Sequence, residues 1–90
     1  MREREIEQYF IRRVREAGGL QRKFVSPGHR GVPDRICVFR GPVHFVELKA
    51  PGKQLRADQV REHKKLRDVF CNVWVIDSKD AVDYFIERTT

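Results

Sequence analysis

The residues of this chain that are best suited to chemistry are two carboxylates and a lysine near its middle. Asp34 follows a proline, and Glu47 stands two residues before Lys49. Carboxylate oxygens are the hard ligands that Mg²⁺ and Mn²⁺ prefer, and such a cation lowers the pKa of water and offsets charge at phosphorus. A nearby lysine could hold the attacking water. These side chains therefore predict metal-assisted hydrolysis of a phosphodiester.

The spacing of the three residues is a weak signal by itself, because short combinations of common charged residues arise often by chance. The alternative interpretation is a surface ion pair between Lys49 and one of the carboxylates. Apolar residues flank the charged ones on both sides. Two neighbouring carboxylates beside a core cost stability unless a positive charge compensates. This context favours the catalytic interpretation.

Two strands must bring the carboxylates together, and the sequence predicts them at residues 34–39 and 43–49. Both segments are rich in Val, Ile and Phe, and Arg, Gly and Pro separate them. A turn centred near Gly41-Pro42 pairs Ile36 with Glu47 across the hairpin. The segments are therefore expected to form an antiparallel pair.

This predicted register places Asp34 opposite Lys49, so that Asp34, Glu47 and Lys49 share one face at the open end of the hairpin. Ile36, Val38 and Phe45 continue that face. The opposite face is apolar and carries Cys37, Phe39, Val46 and Leu48. Because both faces hold apolar side chains, each is expected to be covered by a helix.

The remaining elements follow from periodicity and from turn residues. The sequence predicts a helix over 4–17, a strand over 20–25, a loop over 26–33, a second loop over 50–55, a helix over 56–70, a strand over 73–76 and a last helix after Ser78. The middle helix is polar, with a sparse buried side of Val60, Leu66, Val69 and Phe70 and with Gln59 and His63 one turn apart. The predicted fold class is α/β, in the order α-β-β-β-α-β-α.

Length and charge restrict the class of protein. Ninety residues are expected to form a single domain, residues 1–90, because a second core could not be built from the remainder. Nineteen Lys and Arg against thirteen Asp and Glu give a net charge of +6, which favours a polyanion, with nucleic acid ahead of an anionic membrane surface. No signal peptide or spanning segment is evident, so we expect a cytoplasmic protein with Cys37 and Cys71 reduced.

The motif and its surroundings resemble a known nuclease family. Gly31-Val32-Pro33-Asp34-Arg35, followed by Phe45-Val46-Glu47-Leu48-Lys49-Ala50-Pro51-Gly52, is similar to the VRR-NUC (virus-type replication-repair nuclease) domain of the PD-(D/E)xK superfamily. The likeness runs from the first helix through Gln59 to residues 73–78. It implies a restriction-endonuclease-like core with a mixed sheet flanked by helices. Stand-alone copies this short resemble phage or prophage proteins, for which the compartment is the host cytoplasm.

The resemblance implies roles for particular residues. Asp34, Glu47 and the backbone carbonyl of Leu48 would bind Mg²⁺ or Mn²⁺, and Lys49 takes the place of the motif lysine. Gln59 matches a glutamine that reaches the active site in family members. A glutamate of the first helix often joins the site, and Glu7 fits that spacing best, ahead of Glu3 and Glu5; a solvated glutamate is the alternative. Arg56 stands where family members often have a Ser or Thr cap.

Basic residues near the motif are candidates for nucleic-acid contact. The predicted set is Lys23, His29, Arg30, Lys53 and Arg56. An exposed loop histidine is the plainer interpretation of His29. For His63, a packing role stands beside a contact with the site, and His44 has no predicted role. Arg61, Lys64, Lys65 and Arg67 are interpreted as a solvated helix face.

These observations predict a metal-dependent DNA endonuclease, structure-selective for branched or four-way DNA. A homodimer is expected by analogy with junction-resolving relatives, because the chain has little room for a separate DNA-binding module. The alternatives are a non-catalytic DNA-binding or assembly module with a nuclease fold, and an RNA-directed nuclease.

Overall fold

The computed structural model describes residues 1–90, and its elements follow the predicted order. They are α1 (Glu3–Glu16), β1 (Leu20–Lys23), β2 (Arg35–Val38), β3 (Val43–Leu48), α2 (Ala57–Asp68), β4 (Asn72–Ile76) and α3 (Lys79–Thr89). The predicted α/β class and the order α-β-β-β-α-β-α are confirmed. None of the three helices combines the length and apolarity needed to cross a bilayer.

The four strands form one mixed sheet in the order β1-β2-β3-β4. The first three strands run antiparallel, whereas β4 lies parallel to β3. A parallel neighbour requires a crossover, and α2 is that crossover. Helix α2, which follows β3, therefore crosses the sheet and lies over the end of β3 that carries Glu47.

The β2–β3 register differs from the predicted one by two residues. Ile36 pairs with Phe45, not with Glu47, because the turn takes four residues, 39–42, in place of the two, Gly41 and Pro42, that the predicted pairing implies. An even shift leaves every side chain on its predicted face. Continuing the ladder by one step sets Asp34 beside Glu47, so the correction brings the two carboxylates closer than the sequence predicted.

Strand β1 helps to fix the Asp34 backbone. The strand ends at Lys23, two residues short of the predicted end. The backbone N–H of Phe24 nevertheless donates to the carbonyl of Asp34 at 2.7 Å. The Phe24 ring also meets Phe45 edge-on, with 5.5 Å between ring centroids. The chain on both sides of Asp34 is thus tied to the sheet.

The apolar core lies on the sheet face that α1 and α3 cover. Its members, buried to within 6% of full burial, are Ile6, Phe10, Val14, Cys37, Val46, Leu48, Ile76, Val82, Phe85 and Ile86. Phe85 is central, with ring centroids 5.0 Å from Trp74 and 5.9 Å from Phe10. Burial in this core raises the pKa of the Cys37 thiol to about 12. The predicted apolar face of the hairpin is the face that supplies this core.

Helix α2 covers the other face, and the side chains that it buries are polar. Gln59 and His63 are buried, while Val60 is half exposed. Val69 and Phe70 lie beyond the end of the helix and are exposed. The predicted buried side of this helix is therefore wrong at Val60, Val69 and Phe70. The physical reason is that the helix lies over the carboxylates, where polar partners are needed.

Candidate active site

The candidate site is a cleft at the end of the β2–β3 hairpin, beside the first turn of α2. Its volume is about 370 Å³. Asp34 enters from the residue before β2, and Glu47 and Leu48 are the last two residues of β3. The lining residues are Glu3, Asp34, Glu47, Leu48, Lys49, Lys53, Gln54, Arg56 and Gln59. The structure thus brings together the predicted carboxylates, the lysine and the glutamine.

The two carboxylates differ in their surroundings. An Asp34 oxygen, Oδ2, accepts a hydrogen bond from the Leu48 N–H at 2.9 Å. Glu47 is 2% exposed, and its Oε1 has no hydrogen-bond partner. Burial, followed by the adjoining Asp34 carboxyl, raises the pKa of Glu47 to about 8, against an opposing effect of Lys49 and Arg56. A negative charge on Glu47 is therefore disfavoured unless a further positive charge enters the cleft.

Lys49 belongs to the buried part of the site. The residue is 7% exposed, and its backbone N–H donates to the carbonyl of Ile76 at 2.9 Å. This bond ties the chain after β3 to the end of β4. Lys49 lines the cleft together with Asp34 and Glu47, and a buried lysine is unusual in a small domain. Lys49 is therefore placed to contact a ligand that binds to the two carboxylates.

Helix α2 contacts Glu47 through two side chains one turn apart. Gln59 Nε2 donates to Oε2 of Glu47 at 3.3 Å. His63 Nε2 lies 3.3 Å from Oε1, although the two atoms are not aligned as a hydrogen bond. Burial lowers the pKa of His63, and the charges of Arg67 and Lys49 act in the same direction. Both oxygens of Glu47 therefore face this helix.

The start of α2 explains how the chain tolerates Arg56 where a Ser or Thr cap was expected. Arg56 is the N-cap residue and makes no side-chain cap of its own. Oε1 of Gln59 accepts a hydrogen bond from the Arg56 backbone N–H at 2.9 Å. Gln59 thereby fixes the helix start with one end of its amide and contacts Glu47 with the other. The hydrogen bond at the helix start therefore accounts for the position of Gln59 at the site.

The donor set fits a hard divalent cation. Asp34, Glu47 and the Leu48 carbonyl offer oxygen ligands alone, the type that Mg²⁺ and Mn²⁺ prefer. Glu47 Oε1 is a buried acceptor without a partner. The chain has no group of three or more His, Cys, Asp and Glu side chains that could hold a metal ion.

The first-helix glutamate that lines the cleft is Glu3, not Glu7. Glu7 Oε2 lies 2.7 Å from Nη2 of Arg35, a buried guanidinium on the opposite face of the hairpin. Arg35 also donates to Gln21 at 2.6 Å. The structure does not bring Glu7 into the cleft with Asp34, and it places the less favoured Glu3 there.

A second cavity, of about 580 Å³, adjoins the cleft and is largely basic. We call it the basic groove; it is lined by Gly28, His29, Arg30, Arg56, Ala57, Asp58, Arg61, Glu62 and Lys65. Arg56 lines both cavities and connects them. Of the predicted nucleic-acid residues, His29, Arg30 and Arg56 meet here, whereas Lys53 lines the cleft and Lys23 lines a third cavity beside Glu7 and Asp34.

Tight packing holds the loop of residues 26–33 against α2. Gly31 has a φ of +89°, and a Cβ built on it would lie 2.4 Å from the carbonyl oxygen of Asp58. Asp58 in turn lies 3.2 Å from Nε of Arg56 and 3.7 Å from Nε of Arg30. A glycine at position 31 is therefore required for the loop to form one wall of the basic groove.

Two further basic residues, Arg61 and Lys65, line this groove. The sequence interpretation assigned both to a solvated helix face, and both are exposed. The available signal was their spacing, since Arg61 and Lys65 follow Ala57 at intervals of four and share its helical face. The spacing does not show that the loop of residues 26–33 lies opposite that face.

Known proteins resemble this chain over nearly its whole length. A curated protein described as "Putative nuclease p44", from Acyrthosiphon pisum secondary endosymbiont phage 1, is 47% identical over 81 residues, which cover 89% of this chain and 87% of that protein. A solved structure described as a VRR_NUC domain superposes with a TM-score of 0.89 at 34% identity, covering 98% of this chain and 97% of the other. No family model matches the sequence.

Proposed function

Because the chain belongs to the VRR-NUC family of nucleases, we propose that it is a divalent-metal-dependent DNA endonuclease that hydrolyses phosphodiester bonds in the cleft. The observation that carries the proposal is a buried carboxylate, Glu47, that lines one cleft with the exposed carboxylate of Asp34 and with the buried Lys49. A carboxylate pair of this kind costs stability. A resident cation would offset that cost, and a structural role would not require it.

In this proposal Asp34, Glu47 and the Leu48 carbonyl hold Mg²⁺ or Mn²⁺. The bound cation supplies Lewis acidity and positive charge at the scissile phosphate. Lys49 orients the attacking water and neutralises charge that develops on the phosphate oxygens. Gln59 keeps Glu47 in place through the 3.3 Å contact with Oε2.

The basic groove provides a path for the nucleic acid away from the cleft. Arg56 lines both cavities, so a strand whose phosphate lies in the cleft could continue past Arg56 toward Arg61 and Lys65. Lys53 and Arg30 flank this path. Contacts of this type neutralise phosphates and carry no base recognition, which agrees with the net charge of +6.

Mutation of the groove tests this path. Arg61→Ala combined with Lys65→Ala should weaken DNA binding and reduce the salt slope of log K by about 2, since each phosphate contact contributes about 0.9. The measurement is fluorescence anisotropy over a salt series in the presence of a chelator. Lys64→Ala is the matched control, because Lys64 lies on the same helix, is exposed and does not line the groove. An unchanged slope in the double variant would contradict the path.

Cleavage assays test the activity itself. Purified protein with Mg²⁺ or Mn²⁺ is incubated with labelled linear, nicked, flapped and four-way DNA, and with the matched RNA molecules. We expect DNA cleavage that chelator abolishes and that Asp34→Asn removes. Binding without cleavage would support a non-catalytic module, and preferential cleavage of RNA would identify an RNA-directed nuclease.

We further propose that the enzyme acts as a homodimer with preference for branched DNA. A two-fold dimer would present two clefts to the two arms of a junction. Light scattering coupled to size exclusion measures the oligomeric state. Paired cuts in a four-way junction by a strictly monomeric protein would contradict this proposal.

A further inference from the structure

The contact between His63 and Glu47 has no part in the mechanism above. His63 is fully buried on α2, one turn after Gln59. Its Nε2 lies 3.3 Å from Oε1 of Glu47. Neither imidazole nitrogen has a hydrogen-bond partner, and neither does Oε1 of Glu47. Two buried polar atoms without hydrogen-bond partners, His63 Nε2 and Glu47 Oε1, therefore lie next to each other.

Packing alone does not account for a histidine at this position. A leucine would fill similar space without burying two ring nitrogens, and buried polar groups without partners cost stability. Native proteins satisfy nearly all such groups, and exceptions concentrate where chemistry is performed. Gln59 already approaches Oε2 of the same carboxylate from the same helix. His63 is placed to do the same at Oε1.

We propose that His63 is a positioning residue, which donates from Nε2 to Oε1 of Glu47 and, with Gln59 at Oε2, fixes the orientation in which Glu47 meets a divalent cation. The inference rests on the proposed metal-dependent function. A neutral imidazole has one N–H donor, and this assignment puts it on Nε2. A small rotation of the ring or of the carboxylate aligns the 3.3 Å contact.

The physical basis is preorganisation of the ligand. A hydrogen bond to an ionised carboxylate is shorter and about twice as strong as one between neutral groups, so the contact should tighten when a cation keeps Glu47 charged. Outer partners of metal ligands typically contribute about 10–100-fold in metal affinity. Removal of the His63 donor should therefore reduce affinity for the cation without removing any ligand.

The experiment is calorimetric titration with Mn²⁺ of the parent and of three His63 variants. His63→Leu keeps the volume and removes the donor. His63→Gln places an amide nitrogen near the position of Nε2, whereas His63→Asn places one near Nδ1. Lys64→Ala, an exposed neighbour on the same helix, is the control. Thermal unfolding of each protein in chelator is measured in parallel.

We expect His63→Leu and His63→Asn to bind Mn²⁺ about 10–100-fold more weakly than the parent, and His63→Gln to remain within about threefold. Unfolding in chelator should show His63→Leu to be no less stable than the parent. Equal affinity in His63→Leu and the parent would overturn the inference, as would equal losses in the Leu and Gln variants. Absence of Mn²⁺ binding by the parent would instead overturn the proposed metal-dependent function.

A second measurement does not require a variant to fold. Long-range ¹H–¹⁵N correlation in the parent reports which ring nitrogen of His63 carries the proton. We expect the Nε2–H form, with a downfield shift of that proton when Mg²⁺ is added. A proton on Nδ1 in the presence of Mg²⁺ would overturn the inference.

Discussion

The two faces of the sheet are built on opposite principles. The face under α1 and α3 buries Cys37, Val46 and Leu48 among apolar side chains. The face under α2 buries Glu47 against Gln59 and His63. Burial of apolar area stabilises a fold in proportion to that area, whereas burial of polar groups stabilises only when every partner is present. One face of the sheet therefore stabilises the fold, and the other carries the candidate site.

Truncation of the apolar core should change the stability of the fold most. Phe85→Ala should lower the free energy of unfolding by about 3–5 kcal/mol, the usual cost of a buried aromatic. For a domain of 90 residues this is a large part of the total stability, at about 0.05–0.15 kcal/mol per residue. Urea unfolding followed by circular dichroism measures the loss.

The matched control is Phe70→Ala, the same change at a side chain that is 94% exposed. It should alter stability by no more than about 0.5 kcal/mol. Similar losses in the two variants would mean that the α1–α3 face does not carry the stability of the fold.

A neutral replacement of Glu47 should separate stability from activity. Glu47→Gln should lower cleavage by at least about 10²-fold, because a bound cation supplies several kcal/mol and each 1.36 kcal/mol is tenfold in rate. In chelator the variant should be at least as stable as the parent, since it removes a buried acid beside Asp34. Single-turnover kinetics and urea unfolding give the two values. A variant less stable than the parent would show that the carboxylate has a structural role.

Two glutamates of α1 have different surroundings, since Glu3 lines the cleft and Glu7 pairs with Arg35. Glu3→Gln should reduce cleavage by about 10–100-fold, as expected for a polar group next to a metal site, with little effect on stability. Glu7→Gln should leave cleavage within about twofold and lower stability by about 1–3 kcal/mol, because Arg35 loses its charged partner. Parallel cleavage and unfolding assays decide between them. Loss of cleavage in Glu7→Gln alone would support the assignment made from sequence.

The smallest change in stability is expected at the end of α2. Phe70 has a φ of 68°, in the left-handed region, where its N–H donates to the Arg67 carbonyl at 2.9 Å. A side chain other than glycine costs about 1–2 kcal/mol there, and glycine loses about 0.5–1 kcal/mol of chain entropy. Phe70→Gly should therefore stabilise the protein by roughly 0.5–1 kcal/mol, measured by thermal unfolding. A loss of stability would show that the exposed ring makes a contact important to the fold.

The sequence predicted the elements well where periodicity was strong. The order of the seven elements and the apolar face of the hairpin follow from patterns of 3.6 and 2 residues, which burial imposes locally. The β2–β3 register was predicted with an error of two residues, because the turn length is set by local geometry that composition does not specify. A shift of two residues keeps each side chain on its predicted face of the sheet, so Asp34 and Glu47 still share a face.

The buried side of α2 could not be predicted by the same means. Hydrophobicity selects Val60 and Phe70 as the inward residues, but the structure buries Gln59 and His63. The rule fails because this helix packs on the Glu47 carboxylate of β3. Its inward face is then chosen by hydrogen bonding and charge, which depend on what lies opposite.

The fold class, the family likeness and the grouping of Asp34, Glu47 and Lys49 can be read from the amino-acid sequence, since these depend on residue type and on local spacing. Three further relations appear only in the folded chain: Asp34 lies directly beside Glu47, Glu3 lines the cleft while Glu7 pairs with Arg35, and His63 faces the Glu47 carboxylate. Those three relations join residues far apart in the chain. Their distances depend on a register, a helix position and a crossover, which are fixed only when the two faces pack together.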